Sequence, residues 1–326
     1  MSQSVVLIDV DKIADKKLKI PNLALTQISS WYKQKTNKIV GLVKEPIAEK
    51  DIKFLDISHV YISCIFTKNR PLAEEIVRMF MDKRSLSDIQ ISTGGTGFEY
   101  VTDWLPEAMQ KVKPDYDLYP STYSQGYTTR GCIRTCPFCV VPKKEGFLRP
   151  WQHPSKFHDE RFDTCMLMDN NLFGAPIKWQ TEVFKWFSDN NVKMLSPQGW
   201  DARLLTQRNV DLLKSVKHVD GRLHFAWDNM HDESAVITAI HLLAKNEFNL
   251  RRNIAFYVLC GFSTTFEQDV YRCMKLKDLG VRAYAMRYRQ TPELNALARW
   301  TAQPKLFWKI GFREYTRDMT KWEKKS

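Results

Sequence analysis

The sequence contains no stretch of about 18 apolar residues, the length that a helix needs to cross a bilayer. Its opening, MSQSVVLIDVDKIADKKLKI, also lacks the basic-then-apolar order of a signal peptide. We therefore expect no membrane partner and a cytoplasmic location. No repeat or low-complexity segment occurs, and hydrophobic residues make up 44% of the chain, which is enough for a buried core.

The seven cysteines lack the spacing of a disulfide framework. Three of them, Cys132, Cys136 and Cys139, are such near neighbours that bridges between them would close strained small loops. A reducing compartment suits these thiols.

The chain has fewer acidic than basic residues. It contains 37 Asp and Glu and 49 Lys and Arg, which gives a net charge of +12. A basic excess favours a polyanionic substrate or an acidic protein partner. No recognisable nucleic-acid motif accompanies it, so a solvated basic surface is the alternative, and a nucleic acid or nucleotide stays open as a partner.

Strands and helices are predicted to alternate along the chain. In its first part the predicted strands are residues 5–10, 38–43, 60–66 and 89–92, and the predicted helices are residues 22–35 and 72–81. Beyond a Pro- and Tyr-rich stretch, the predicted strands are residues 165–168, 192–196, 223–227, 254–259 and 283–288. With the extended segment before Cys132, the second part counts six βα units, and such alternation predicts parallel strands.

A length of 326 residues suits two domains in an α/β fold. We predict a Rossmann-like, doubly wound domain over residues 1–112 and a linker over residues 113–122. A partial (β/α) barrel of about six strands is predicted over residues 123–300, followed by a helical tail over residues 301–326. Ligand sites of such folds lie at the carboxyl ends of the strands.

The segment Cys132-Ile-Arg-Thr-Cys136-Pro-Phe-Cys139 carries the strongest chemical signal. Three thiolates on one tight loop can each bind a different iron of a 4Fe-4S cube and leave the fourth iron without a protein ligand. A small molecule with an amine and a carboxylate can chelate that iron. Zinc would want a fourth Cys or His close by, whereas the next candidates are His153 and Cys165.

This CxxxCxxC spacing, with the aromatic Phe138 before the last cysteine, resembles the radical S-adenosylmethionine superfamily. The resemblance implies that a reduced cluster cleaves S-adenosylmethionine to methionine and a 5′-deoxyadenosyl radical, which abstracts hydrogen from a substrate that the sequence does not identify. It also implies that Phe138 contributes to cofactor binding, and that flavodoxin or ferredoxin supplies the electron. Lys143 and Lys144, just after the loop, are candidates for the docking face of that donor.

The resemblance further implies that polar residues at strand ends contact S-adenosylmethionine. Asp169, Asn170 and Asn171 resemble the family motif that receives the methionine amino group, although the better-known form is Gly-Gly-Glu. A helix cap or turn is the alternative for these three residues.

Four more residues are candidate contacts: Gln198, Arg203, Asp228 and Gly261. Arg203 suits the methionine carboxylate, with an ordinary ion pair to Asp201 as the alternative. Asp228 suits a ribose hydroxyl or a helix cap. Gly261, which has no side chain, would let the backbone pass close to the adenine.

The N-terminal domain resembles the cobalamin-binding-like domain of one branch of this superfamily. The DxHxxG loop of cobalamin binders is absent, because residues 9–14 contain no His and the first histidine is His59. We therefore expect no cobalamin. The alternative functions are a cobalamin-dependent methylase of the same superfamily and a nucleic-acid-binding protein with a structural metal site.

Overall fold

The computed structural model describes residues 4–36, 38–46, 57–81, 89–98 and 104–316. The chain forms two compact units, Met1–Cys165 and Met166–Ser326. Both units combine helices with strands, and their sheets contain parallel strand pairs, so the α/β class is confirmed.

The elements of the first unit alternate as predicted. Its strands are β1 (Ser4–Asp9), β2 (Ile39–Val43), β3 (Ile57–Ser63), β4 (Gln90–Gly94), β5 (Ser124–Gly126), β6 (Thr129–Arg130) and β7 (Arg149–Pro150). Its helices are α1 (Val10–Ala14), α2 (Leu23–Lys35), α3 (Arg70–Met81), α4 (Glu107–Gln110) and α5 (Val141–Glu145).

Strands β1 to β4 form one parallel sheet in the order β2-β1-β3-β4. Alternate side chains of β1 serve opposite faces, because successive residues of a strand point to opposite sides. Val5 and Leu7 belong to a buried cluster with residues of α2, and Val6 and Ile8 to another with residues of α3. Helices therefore cover both faces of this sheet.

The stretch predicted as a linker, residues 113–122, is packed within the first unit. Tyr116 and Tyr119 are almost fully buried. The Tyr119 hydroxyl donates to Asp9 Oδ2 at 2.7 Å, and Ser29 Oγ donates to Asp115 Oδ2 at 2.5 Å. These bonds attach the stretch to β1 and α2, while the predicted domain boundaries themselves stay predictions.

Beyond β8 (Thr164–Leu167), which crosses the division, the second unit also alternates strands with helices. Its other strands are β9 (Lys193–Leu195), β10 (Leu223–Ala226), β11 (Ile254–Cys260) and β12 (Arg282–Arg287). Its helices are α6 (Ile177–Asp189), α7 (Gln207–Ser215), α8 (Glu233–Lys245), α9 (Leu250–Asn253), α10 (Phe266–Asp278), α11 (Pro292–Ala302) and α12 (Pro304–Lys309).

Strands β10, β11 and β12 form a parallel sheet in chain order. Strand β9 neighbours β8, and parallel bridges Met194–His218 and Trp200–Phe225 link the β9 region to that of β10. The five strands predicted between residues 165 and 288 are thereby confirmed.

The end of the described chain packs on α11. The ring centroids of Phe307 and Phe312 lie 4.8 and 5.6 Å from that of Trp300, and all three side chains are buried. The predicted helical tail is confirmed for α12, and residues 317–326 lie outside the described residues. None of the helices that the structure describes is long and apolar enough to span a bilayer.

Candidate functional site

A short hairpin carries the three-cysteine loop of the first unit. Strands β6 and β7 pair antiparallel on either side of the loop. The Arg130 guanidinium donates from Nε to Glu145 Oε2 at 3.0 Å, and the backbone N–H of Gly131 donates to the same oxygen at 3.0 Å. Both charged side chains are almost buried, so removing either one would leave an uncompensated charge. This ion pair fixes the base of the loop.

The backbone of the loop is fixed at both ends. Gly131 has φ of +80°, and a Cβ there would lie 2.2 Å from the carbonyl oxygen of Phe147, so only glycine fits. The N–H of Cys132 donates to Gly146 O at 3.2 Å, and the N–H of Cys139 donates to Cys136 O at 2.9 Å.

Exposure separates the loop cysteines from the others. No cysteine of the described chain is in a disulfide, and Cys132, Cys136 and Cys139 are half-buried. The other four thiols are buried: Cys64, Cys165, Cys260 and Cys273. Three half-buried cysteines at this spacing on one loop are the residue type that ligates an iron-sulfur cluster.

The ligand assignment depends on residue type, spacing and exposure. Across the described ranges, no three His, Cys, Asp or Glu side chains converge into a group that could hold a metal ion. The backbone N–H of Arg134 donates to Cys132 Sγ at 3.4 Å, a contact of the kind that tunes cluster sulfurs.

The two lysines after the loop differ. Lys143 is exposed. Lys144 is half-buried and donates from Nζ to Thr96 Oγ1 at 2.8 Å, and this burial lowers the pKa of its ammonium. Of the two, Lys143 is the one whose side chain is exposed.

Asp11, in the short helix α1 that follows β1, is a buried carboxylate. The Asp11 carboxylate accepts from the backbone N–H groups of Ile65 and Phe66, at 2.6 and 3.2 Å. It also accepts from Asn69 Nδ2 at 2.8 Å. Asp11 thus joins α1 to the segment that follows β3.

In the second unit, the predicted methionine-binding residues lie around one small cleft. Asp169, Asn170 and Asn171 follow β8, and Gln198 follows β9, and all four line this cleft. Its volume of about 10 Å³ has room for roughly one water molecule. The indole N–H of Trp200, also at the cleft, is buried and has no hydrogen-bond partner among the described residues.

Arg203 forms the ion pair that the sequence left open as its alternative role. Its Nε and Nη2 donate to the two oxygens of Asp201 at 2.7 and 3.1 Å, and Nη1 donates to Asp232 Oδ2 at 3.2 Å. Asn171 Nδ2 donates to Asp201 Oδ2 at 3.2 Å. The guanidinium therefore has two carboxylates, and the network connects it to the small cleft.

Asp228, just after β10, is the most perturbed carboxyl of this strand end. Burial raises the pKa of Asp228 to about 6, against the smaller opposing effect of the Arg203 and Arg272 guanidiniums. No described residue forms a hydrogen bond with its side chain. Of the two roles that the sequence left open for Asp228, the helix cap is not found, because the Asn229 side chain accepts from the N–H of Asp232 instead.

Gly261 follows β11 with φ of +78°, a conformation that favours glycine. A Cβ at this position would lie 2.5 Å from Leu294 Cδ1. Its N–H donates to Asp269 Oδ2 at 2.8 Å, and its carbonyl accepts from Arg289 Nε at 2.7 Å. The structure thus gives this glycine a packing role.

Sequence reasoning missed the buried pair Asp269–Arg272 on α10. Arg272 Nη2 donates to Asp269 Oδ1 at 2.6 Å, and both side chains are fully buried. Arg272 also donates to the carbonyls of Trp227 and Leu259, both at 2.6 Å. The i,i+3 spacing of opposite charges was the available signal, but such pairs are usually solvated.

Comparison of the sequence with models of known protein families and with curated proteins gives no match.

Proposed function

We propose that the chain is a radical S-adenosylmethionine enzyme with one 4Fe-4S cluster on Cys132, Cys136 and Cys139. The observation that carries this proposal is the contrast among the cysteines. The three in the CxxxCxxC segment are half-buried on a loop fixed by a hairpin and a buried ion pair, whereas the other four are buried. The substrate is not assigned.

The proposal includes the finer architecture. Helices on both faces of the β2-β1-β3-β4 sheet support a Rossmann-like first domain. The chain order of the parallel strands β10, β11 and β12 supports a partial barrel.

The chain's own residues would hold and tune the cluster. When bound, the cluster supplies the electron that cleaves S-adenosylmethionine. Glu145 holds Arg130 and the N–H of Gly131, which keeps the loop in place. The N–H of Arg134 points at Cys132 Sγ, where it would stabilise a thiolate. Phe138, half-buried on the loop, would shield the cofactor side from water.

For the second unit we propose cofactor contacts at the strand ends. Asp169, Asn170, Asn171 and Gln198 are supported by their shared cleft, and Asp228 by its raised pKa and available carboxyl. Arg203 is better placed to position Asp201 than to bind a carboxylate itself, because two aspartates already surround its guanidinium. Gly261 keeps the strand end compact.

Anaerobic reconstitution tests the proposal. The reconstituted chain is expected to bind about four irons and four sulfides and, with dithionite and S-adenosylmethionine, to release 5′-deoxyadenosine. The triple variant with Cys132, Cys136 and Cys139 replaced by Ala should lose both properties. Single Cys64→Ala and Cys165→Ala variants serve as controls. Iron retained by the triple variant but lost by a control would show that the ligand assignment is wrong.

Two other outcomes would replace the proposed function. Metal binding without 5′-deoxyadenosine release would favour a structural metal site in a nucleic-acid-binding protein. A stoichiometric corrinoid band that stays with the protein after desalting from hydroxocobalamin would favour a cobalamin-dependent methylase. The bonds of Asp11 to its own loops argue against that outcome.

The electron donor is proposed to be an acidic flavodoxin or ferredoxin that docks near Lys143. Lys143→Gln should slow reduction by the donor at low ionic strength, and added salt should narrow the difference. Lys144→Gln is the matched control, because Lys144 already donates to Thr96. Reduction rates that do not respond to salt would rule out this docking face.

A further inference from the structure

A cavity of about 690 Å³ lies beside strand β12 and helix α11 of the second unit, away from the small cleft at the ends of β8 and β9. This volume is within the range of about 300 to 1,000 Å³ that is typical of small-molecule sites. The side chains that give it chemical character are Tyr284, Met286, Arg287, Asn295 and Arg299.

The charge of the cavity is positive. Arg287 and Arg299 are exposed, and no carboxylate belongs to the lining residues that the structure describes. Arg287 Nη1 donates to Asn295 Oδ1, which leaves other N–H groups of that guanidinium available. Within the described ranges, no ion pair or side-chain hydrogen bond engages the Arg299 guanidinium.

The side chains that line the cavity offer more available hydrogen-bond donors than acceptors. The Asn295 oxygen accepts from Arg287, so its amino group remains as a donor. Thr301 is already used, because its Oγ1 donates to Ala298 O and accepts from the N–H of Ala285. A cavity rich in donors and poor in acceptors is complementary to an oxyanion, and a guanidinium binds phosphate in a bidentate manner.

On the strand side, the lining of the cavity includes one aromatic ring, that of Tyr284. Tyr284 is the last ring in a row across β10, β11 and β12, in which its centroid lies 6.2 Å from Tyr257 and 6.0 Å from His224. The Arg282 guanidinium lies 4.6 Å from the centroid of Tyr284 and supports this ring. Beyond Tyr284, the exposed Met286 adds a flexible apolar surface. This wall suits a flat ring.

We propose that this cavity binds a nucleoside phosphate, with its phosphate on Arg287 and Arg299 and its base against Tyr284 and Met286. The inference does not depend on the proposed cluster or on cleavage of S-adenosylmethionine. It assigns a ligand class to residues that neither function uses, and the net charge of +12 accords with an anionic ligand.

Calorimetric titration of the full-length chain, without reconstitution, tests the site. The probes are the four ribonucleoside 5′-monophosphates, their nucleosides and inorganic phosphate. At least one monophosphate is expected to bind about tenfold or more tightly than its nucleoside and than phosphate. Failure of all four monophosphates to bind would overturn the proposal. Equal affinity for inorganic phosphate would overturn the assignment of the ring to Tyr284.

Single variants locate the binding. Arg287→Gln and Arg299→Gln should each weaken the preferred monophosphate by about tenfold. Arg313→Gln is the matched control, because Arg313 is exposed in the same unit and does not line the cavity. Tyr284→Leu should weaken binding by about fivefold, whereas Tyr284→Phe keeps the ring and the affinity. An equal loss in Arg313→Gln, or none in Arg299→Gln, would overturn the site.

The source of the nucleotide is distinguished by one further titration. Hexauridylate is compared with uridine 5′-monophosphate under the same salt. Tighter binding of the hexamer that depends on Arg299 identifies nucleic acid as the source, and tighter binding of the monomer identifies a free nucleotide. If the Arg299→Gln variant binds the hexamer as tightly as the wild-type chain, the hexamer does not bind in this cavity.

Discussion

The carboxyl ends of the two parallel sheets use their charged residues differently. In the first unit, Asp11 accepts three hydrogen bonds, and Asp9 accepts from the Tyr119 hydroxyl and the N–H of Lys12. In the second unit, Arg272 donates to two strand-end carbonyls, but the neighbouring Asp228 has no hydrogen-bond partner among the described residues.

The difference shows which end has capacity left for a ligand. A carboxylate that already accepts hydrogen bonds from the protein gains little further stabilisation from a bound ligand, because those bonds already replace the ones that it would make with water. A desolvated carboxyl without such bonds gains from any donor that reaches it, which is why strongly shifted groups at strand ends mark candidate sites. The second unit is therefore the better candidate for binding a small polar ligand at its strand ends.

Replacing Asp269 by Asn should produce the largest loss of stability. The variant leaves the fully buried Arg272 guanidinium without a counter-charge. We expect the free energy of unfolding to fall by about 4 kcal/mol, measured by urea denaturation. Asp278→Asn on the same helix is the control, because Asp278 is exposed and should change stability by less than about 0.5 kcal/mol. Equal effects of both variants would show that Arg272 does not depend on Asp269.

Asp11→Ala should have the next largest effect. The change removes a buried carboxylate that accepts from two backbone N–H groups of the loop after β3, and hydrogen bonds to a charged group are the stronger ones, so the free energy of unfolding should fall by about 2 to 3 kcal/mol. Asp15→Ala is the control, because Asp15 is exposed and the only donor to its carboxylate among the described residues is the N–H of Lys17. If Asp11→Ala leaves the free energy of unfolding unchanged, the hydrogen bonds of this carboxylate do not stabilise the first unit.

The pH dependence of stability should reveal Asp228. Its pKa is about 6 in the folded protein, above its ordinary value of 3.8, so the folded state binds the proton more tightly. The resulting stabilisation is present below about pH 4 and is lost as the pH rises through about 6. The shift corresponds to about 3 kcal/mol, and because Asp228 is half-buried, solvent screening reduces this, so the wild-type chain should lose about 2 kcal/mol relative to Asp228→Asn across this window. If the free energy of unfolding depends on pH in the same way in both chains, the pKa of Asp228 is not raised by burial.

The smallest expected difference in stability is between alanine substitutions of two glycines that follow strands, Gly95 in the first unit and Gly261 in the second. Gly95 has φ of +100° and a Cβ would lie 2.3 Å from Cys64 O, whereas at Gly261 it would meet the movable end of Leu294. Gly95→Ala should therefore destabilise by about 1 kcal/mol more than Gly261→Ala in thermal unfolding. The reverse order would show that the second strand end is the more rigid.

Local patterns in the sequence were enough to place most elements. The apolar run over residues 5–10 predicted a strand, and β1 lies at Ser4–Asp9 with buried clusters on both of its faces. The spacing of Cys132, Cys136 and Cys139 singled out the three cysteines that are half-buried, while the other four are buried. These features depend on near neighbours in the chain, and backbone geometry links near neighbours directly.

The partners of charged residues could not be read in the same way. Arg203 contacts Asp232 across 29 positions, and Asp11 bonds to residues more than 50 positions away. A sequence displays such groups without showing which of them the fold desolvates together.

The sequence by itself therefore determined the α/β class, the order of strands and helices and the candidate cluster loop, because each follows from periodicity or spacing over a few residues. Only the tertiary structure decided that Lys144 is half-buried, that Asp228 keeps an available carboxyl and that Arg287 and Arg299 share a cavity with Tyr284. Burial and long-range pairing arise when distant segments pack, and that packing sets the local dielectric environment on which charge and binding depend.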